Sequence, residues 1–255
     1  MLPENLVLVR HGESEFNKLV HELRQTNRDF NTLDPSVLNK TGSKWRLTKL
    51  GLQQAAITGD YIRNNMKIKF DGFFVSDYVR AKETAAALQL KDAHWKVEPY
   101  LRERDWGDVG LRDFVERTGS STFREEDPFY GAPPNGESIS NLCLRVDRVL
   151  DTLHREYPGK SVIIVCHGEL MWAFRVRLER LLEDDFIRLD KSKNPHDRIH
   201  NAQILHYKSG RQVRSICPPD KTLSSNGWKE IYRKQFSNQD LLNDVEQYPH
   251  VILNV

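Results

Sequence analysis

The chain has 255 residues, 38% hydrophobic and 29% charged, with 38 basic against 36 acidic residues and a formal net charge of +2. That length suits one sizeable domain with additions and enough core to fold without staples, and the charge balance argues against a general nucleic-acid footprint. No apolar run reaches membrane-spanning length, so no membrane partner is expected.

Cys143, Cys166 and Cys217 form neither a C-x-x-C pair nor a secreted disulfide pattern. No basic-then-apolar leader opens the chain. A reducing, cytoplasmic setting is therefore the expectation.

Residues 6–9 are a branched apolar run and read as a strand buried on both faces. Residues 18–46 are polar and aperiodic, with weak helix signals at best, and are expected to form an insertion over one face. In "LTKLGLQQAAITGDYIRNNM", Leu52, Ala55, Ala56, Gly59, Ile62 and Met66 recur at helical spacing, with Thr48 placed to cap the start. A second strand is expected at 73–76. "RAKETAAALQL" then puts Ala81, Ala85 and Leu88 on one helical stripe. A third strand follows near 96–98, with irregular chain beyond it.

"FYGAPPNGES" is turn chemistry. Ser138 is a candidate cap for the next helix, whose stripe is Ile139, Leu142, Val146, Val149, Leu150 and Leu153. "SVIIVC" is the cleanest buried strand, "ELMWAFRVRLERL" reads as helix, and "AQILHYKSGRQVRSI" reads as a hairpin turning at Ser209 and Gly210. Strands alternating with helices predict an α/β fold, a three-layer α/β/α sandwich around a mainly parallel, mixed sheet. The expected organisation is a catalytic domain over 1–217 and a C-terminal extension over 218–255, packed back in part.

Two distant segments resemble each other. "VLVRHGES" and "IIVCHGEL" both run from an apolar strand into His-Gly-Glu. Parallel strands end on the same edge of a sheet, where ligands of open α/β folds bind. His11 and His167 are thus expected to meet there. Gly12 and Gly168 are read as sharp turns that let backbone approach a ligand. Arg80, in the first turn of its helix, opposes the helix dipole unless an anion sits there too. Arg10 ends its strand with the same choice between an anion and a surface carboxylate.

Other readings carry less. His11 with Glu13, or His167 with Glu169, could ligate a metal, but there is no H-E-x-x-H and the adjacent arginines oppose a cation. Neither a metal nor another cofactor is expected. Cys166 precedes His167 and so points to the opposite face, into the core. His196 and His200 read as a surface pair. Lys40, Lys44, Arg46 and Lys49 around Trp45 read as a solvated loop with one anchoring aromatic.

"RHGES", "LTKLGLQQA", "SDYVRAKETA", "LRE" at 101–103 and "CHGE" occur in that order. Together they resemble the histidine phosphatase superfamily, which includes phosphoglycerate mutases and many phosphomonoesterases. The resemblance implies that His11 is the nucleophile and becomes a phosphohistidine. It implies that Arg10, Arg80 and His167 surround the phosphoryl oxygens, with Asn17 and the backbone at Gly168 as further contacts and Ser14 either donating to phosphate or capping a helix. Glu103 would be the general acid and then the base, with Asp105 and Glu137 as rivals. Phe16 stands where many relatives carry tryptophan.

The chemistry agrees with that allocation. Fixed cations stabilise a transferring phosphoryl group, and an attacking imidazole must be neutral, its other nitrogen held by an acceptor. Burial beside an anion raises a glutamate toward its acid form. The expected function is hydrolysis of a small phosphorylated metabolite. Phosphoglycerate mutase-type transfer and a non-catalytic phosphate-binding or phosphoprotein-binding module are the alternatives. A homo-oligomer is left open.

Overall fold

The N-terminal apolar run forms strand β1, Asn5–Arg10, whose four central residues are buried. The computed structural model describes residues 1–26, 33–38, 40–108, 127–225 and 227–246. β1 pairs in parallel with β4, Ser161–Cys166, from Asn5 opposite Ser161 to Arg10 opposite Cys166. β2, Gly72–Val75, lies parallel on the other side of β4, and β3, Trp95–Val97, parallel beyond β2. On the far side of β1, β5 (Ile204–Lys208), β6 (Gln212–Ile216) and β7 (Lys229–Glu230) are antiparallel. The sheet order is β3-β2-β4-β1-β5-β6-β7.

Alternation along the strands splits the core into two layers. Leu6, Leu8, Phe74, Val162 and Ile164 face one side. They pack under α4 (Ile139–Glu156), α5 (Gly168–Glu179) and α6 (Glu183–Asp190). Val7, Val9, Phe73, Val75, Ile163 and Val165 face the other side, under α2 (Lys49–Tyr61), the π turn Ile62–Met66 and α3 (Val79–Ala87). This is the expected α/β/α sandwich. Each fully buried Val, Leu or Ile contributes about 1.5–3 kcal/mol, so truncating Ile164 to Ala should cost about 2–5 kcal/mol.

The caps formed as expected. Thr48 accepts from the Gly51 amide, and Ser138 with Asn141 closes a reciprocal capping box. The hairpin turns through Ser209 (φ 51°) and Gly210 (φ 63°), the two left-handed positions that a type I′ turn demands.

Three expectations need correction. The segment 18–46 is not aperiodic throughout: helix α1, Glu15–Thr26, runs into it and buries Val20 and Leu23. Phe16, Leu19, Val20 and Leu23 lie at i, i+3, i+4 and i+7 and pack together with Leu33. Residues 27–32 and 39 of that segment lie outside the described residues, as do 226 and 247–255 of the tail. In α2, Leu52 and Ala56 are exposed. Its buried side is Gly51, Ala55, Thr58 and Gly59, because backbone of Glu13 and Leu88 presses against the two glycines. β3 starts one residue earlier than expected. His196 and His200 do lie toward the surface, as expected, His196 exposed in the 3-10 turn Pro195–Asp197 and His200 half-buried, its Nε2 bonded to the Pro195 carbonyl at 2.8 Å.

Part of the tail packs back. β7 extends the sheet, Ile231 joins the core, and Trp228 sits 4.7 Å from the His206 ring. Helix α7, Asn238–Glu246, leaves Leu241, Leu242 and Val245 exposed. All three cysteines are free and buried. Burial pushes the Cys143 thiol up to about 12 and that of Cys166 higher still, so both behave as inert core residues.

Candidate active site

The register of β1 on β4 decides where the two His-Gly pairs go. With Arg10 opposite Cys166, the His11 amide donates to the Cys166 carbonyl at 3.0 Å. The two imidazoles leave the sheet side by side, ring centroids 5.1 Å apart in an edge-on arrangement. β2, adjacent to β4, delivers Ser76 and then Arg80 on the first turn of α3 to the same edge.

His11 is 2% exposed and held on both nitrogens. Nδ1–H donates to the Gly12 carbonyl at 2.7 Å, and Nε2 accepts from Arg80 Nε at 3.1 Å. Burial, reinforced by Arg80 and Arg10, drives its pKa well below the usual histidine value. The ring is therefore neutral, with its lone pair on Nε2 facing the cleft. Asn201 and the Ala202 amide hold the His11 carbonyl from β5's side.

His167, fully buried, bonds Ser76 Oγ through Nε2 at 2.8 Å. Burial, then Arg80 and His11, depress its pKa strongly, so it too is neutral here. Its Nδ1 and the Nε of Arg10 are the two buried side-chain polar atoms without a partner among the described residues. Arg10 is otherwise anchored to the Ile199 carbonyl at 2.6 Å, and Arg80 to the Gly42 carbonyl at 2.6 Å. Unpaired buried donors beside two guanidiniums are costly unless a ligand completes them, and an oxyanion has the matching chemistry.

The glycines act by space, not by φ. Neither Gly12 nor Gly168 has a positive φ, which corrects the expected sharp turns. A Cβ on Gly12 would lie 2.2 Å from the Gly51 carbonyl oxygen, and one on Gly51 would lie 2.0 Å from that of Glu13. The two backbones touch, and this contact sets the height of His11. A Cβ on Gly168 would come 3.2 Å from Arg10 Nε.

Glu103 reaches the same point. One ligand atom from each of His11, Glu103 and His167 lies within 4.8 Å of the others. A cation there would have to displace Arg80 from the His11 lone pair; the guanidiniums favour an anion instead. Burial, then the neighbouring Glu169, raises the Glu103 carboxyl above its usual value despite Arg80 and Arg10. It is thus suited to hold a proton. Of its rivals, Glu137 is tied up by Arg145, which donates to both carboxylate oxygens at 2.8 Å. Asp105 lines the cavity but is exposed.

Ser14 and Asn17 serve local structure. Ser14 Oγ donates to Asn17 Oδ1 at 3.0 Å and accepts from the Asn17 amide, closing a cap on α1. Asn17 Oδ1 also receives Asn201. Both still line the cavity, a space of about 490 Å³ that Arg10, His11, Arg80, Glu103 and Gly168 share.

Sequence reading missed Ser76, Tyr78, Arg104, Trp106, Arg145 and Trp172. Arg145 left a signal: a cation inside the apolar stripe of α4. Buried, it donates to the carbonyls of Tyr100 (2.8 Å), Arg102 (3.0 Å) and Glu103 (3.3 Å). It thereby staples the irregular segment that carries Glu103.

Residues 6–194 match the profile of the histidine phosphatase superfamily (branch 1). The chain belongs to that superfamily. It is 30% identical over 187 residues to a 2,3-bisphosphoglycerate-dependent phosphoglycerate mutase of Methylorubrum populi, covering 68% of this chain and 78% of that protein. It is 31% identical over 227 residues to the Rhizobium etli protein of the same name, covering 83% and 99%. Among solved structures, the alpha-ribazole phosphatase of Shigella flexneri superposes with a TM-score of 0.59 at 21% identity, over 79% of this chain and 89% of that one. A mycobacterial glucosyl-3-phosphoglycerate phosphatase gives 0.58 at 22%, over 80% and 92%. At such identities the structural likeness speaks to the fold of this histidine phosphatase superfamily member, and its substrate has to be argued from its own residues.

Proposed function

We propose that this protein is a phosphomonoester hydrolase that acts on a small phosphorylated metabolite through a phosphohistidine at His11. One observation carries the reading: a neutral imidazole with its Nε2 lone pair toward the cleft is ringed by Arg10, Arg80, His167 and a proton-holding Glu103. His11 Nε2 attacks phosphorus and the P–O ester bond breaks. Glu103 gives its proton to the departing alkoxide. Glu103, now a carboxylate, takes a proton from water as the water oxygen bonds phosphorus and the P–N bond breaks. Inorganic phosphate leaves and His11 is restored.

Arg10 and Arg80 hold the equatorial oxygens, where charge must be balanced. A bound phosphate also opposes the depression of His167, so His167 donates to it more strongly than in the free site. A module that only bound phosphate would have no use for an acid beside the leaving position or for a nitrogen held unprotonated.

Phosphoglycerate mutase-type transfer is the second reading, supported by the 30–31% identity to bacterial phosphoglycerate mutases. One experiment addresses all three. The purified chain is given an aryl phosphate without added metal, and separately 3-phosphoglycerate with its bisphosphorylated primer. Free phosphate and isomerised product are both followed, together with base-quenched phosphoprotein. Hydrolysis with a label on histidine that His11→Ala abolishes is the expected result. Isomerisation outrunning phosphate release would give the mutase reading, and full activity in His11→Ala would defeat both.

A further inference from the structure

Besides the phosphate cradle, the cavity lining is rich in aromatic rings. Trp45, Trp106 and Trp172 belong to it, three of the chain's five tryptophans, as does Phe16, while Tyr78 lies against the cradle, 5.0 Å from the His167 ring. These walls are braced. Trp45 packs on Phe16 at 5.7 Å, and Trp172 packs on Phe186 at 5.6 Å and carries Arg175 over its ring at 4.4 Å. The Arg104 guanidinium lies 4.8 Å from the Trp106 ring centre.

The other cations of the lining are already paired. Outside the cradle, the described lining holds two of them, Lys40 and Arg104. Lys40 Nζ lies 2.7 Å from a Glu15 carboxylate oxygen. Arg104, its side chain fully buried, faces Glu169 at 3.4 Å and donates to the carbonyls of Glu137 and Gly131. Asp105 adds an exposed carboxylate to the same lining. A second anionic group on a ligand would meet Asp105 and would have to compete with Glu15 for Lys40 and with Glu169 for Arg104. A planar uncharged group would bury apolar area against the rings at no such cost.

We infer that the preferred substrate is a monophosphate ester whose alcohol half is uncharged and bears a flat aromatic ring, with the phosphoryl group as its one anion. A bisphosphorylated or carboxylated metabolite is disfavoured. The inference rests on the phosphoryl-transfer reading of the same site and narrows it. The volume, about 490 Å³, is that of a small-molecule site and not of a protein-docking groove.

The test uses substrates matched in leaving group: benzyl phosphate, 4-carboxybenzyl phosphate and ethyl phosphate. Benzyl phosphate should exceed each of the others in kcat/KM by about tenfold or more, the equivalent of about 1.4 kcal/mol. Binding of benzylphosphonate and 4-carboxybenzylphosphonate, measured by calorimetry, should show the same preference for the uncharged ring without any turnover. Equal or tighter binding of the carboxylated phosphonate overturns the inference, as does failure of both to bind. Retained discrimination in binding with no hydrolysis of any ester overturns the hydrolase reading alone. Glu15→Gln leaves Lys40 without its carboxylate and should shrink the benzyl over carboxybenzyl ratio by about threefold. An unchanged ratio removes the charge-matching argument.

Discussion

Arg80 donates its Nε–H into the lone pair of His11 Nε2 across 3.1 Å. The same guanidinium donates from Nη1 to the Gly42 carbonyl at 2.6 Å. One planar group thus keeps the attacking nitrogen unprotonated and is itself aimed by backbone. On the proposed phosphoryl-transfer reading, an incoming phosphoryl group would replace His11 as the acceptor of that Nε–H and free the lone pair for attack. Lysine has donors enough for both but not the rigid planar fork that fixes their two directions. Arg80→Lys should lower kcat/KM by about a hundredfold while the thermal midpoint moves little. A loss smaller than threefold would refute the fork.

Glu103 depends on a residue that never enters the cleft. Arg145 donates to three backbone carbonyls, of Tyr100, Arg102 and Glu103, and is fixed by Glu137. Glu103→Gln removes the proton, so poor leaving groups should suffer by about 10²- to 10⁴-fold and activated aryl phosphates far less. Arg145→Lys should give the same leaving-group dependence in weaker form, since it misplaces the acid without removing it. Losses independent of leaving group in Arg145→Lys would mark that residue as merely structural.

The sequence was most readable where local chemistry and topology agree. Apolar runs ending in His-Gly-Glu located His11 and His167 because parallel register carries both to one edge. Caps at Thr48 and Ser138 were visible because a side-chain oxygen three residues ahead of an amide is a local event. Helix α1 escaped because its apolar stripe starts at Phe16, inside the motif, so the remainder looked polar. The role of Gly12 was misjudged because its constraint is the Gly51 backbone, far along the chain and without any local trace. The aromatic walls were equally hidden: Trp45, Trp106 and Trp172 come from three unconnected segments.

That glycine contact is itself open to test. A methyl group at Gly12 would sit 2.2 Å from the Gly51 carbonyl oxygen, and this obstacle is backbone that has no rotamer to change. Gly12→Ala should destabilise the protein by about 2–4 kcal/mol, as expected for overpacking against a rigid neighbour, and should displace His11. Gly168→Ala meets only the Arg10 side chain at 3.2 Å. It should leave most of the stability and raise KM, by moving one phosphate donor. Chemical denaturation with parallel kinetics separates the two. Equal stability losses would contradict the distinction between backbone and side-chain contact.

Three buried histidines tie stability to pH. His11 and His167 are depressed well below 6.5 by burial and nearby cations. His206 falls to about 3 through burial, Arg214 and Lys208. All three stay neutral in the folded protein while the unfolded chain takes up protons near 6.5. Below that pH the unfolded state binds more protons, so folding stability drops as pH falls from 6.5 toward the folded values. Glu103 has the opposite sign: its raised carboxyl costs stability as pH rises through its folded value. His206 lies away from the cleft, bonded to Asn5 Oδ1 at 3.0 Å and approached by Arg214 on Nδ1, so it can be changed without touching the reaction. Gln can donate to Asn5 and accept from Arg214 without titrating. His206→Gln should flatten the fall in unfolding free energy, measured by denaturant titration, between pH 6.5 and 4.5 by on the order of 1 kcal/mol per pH unit. A slope equal to wild type over that range would show that His206 is not held neutral by the fold.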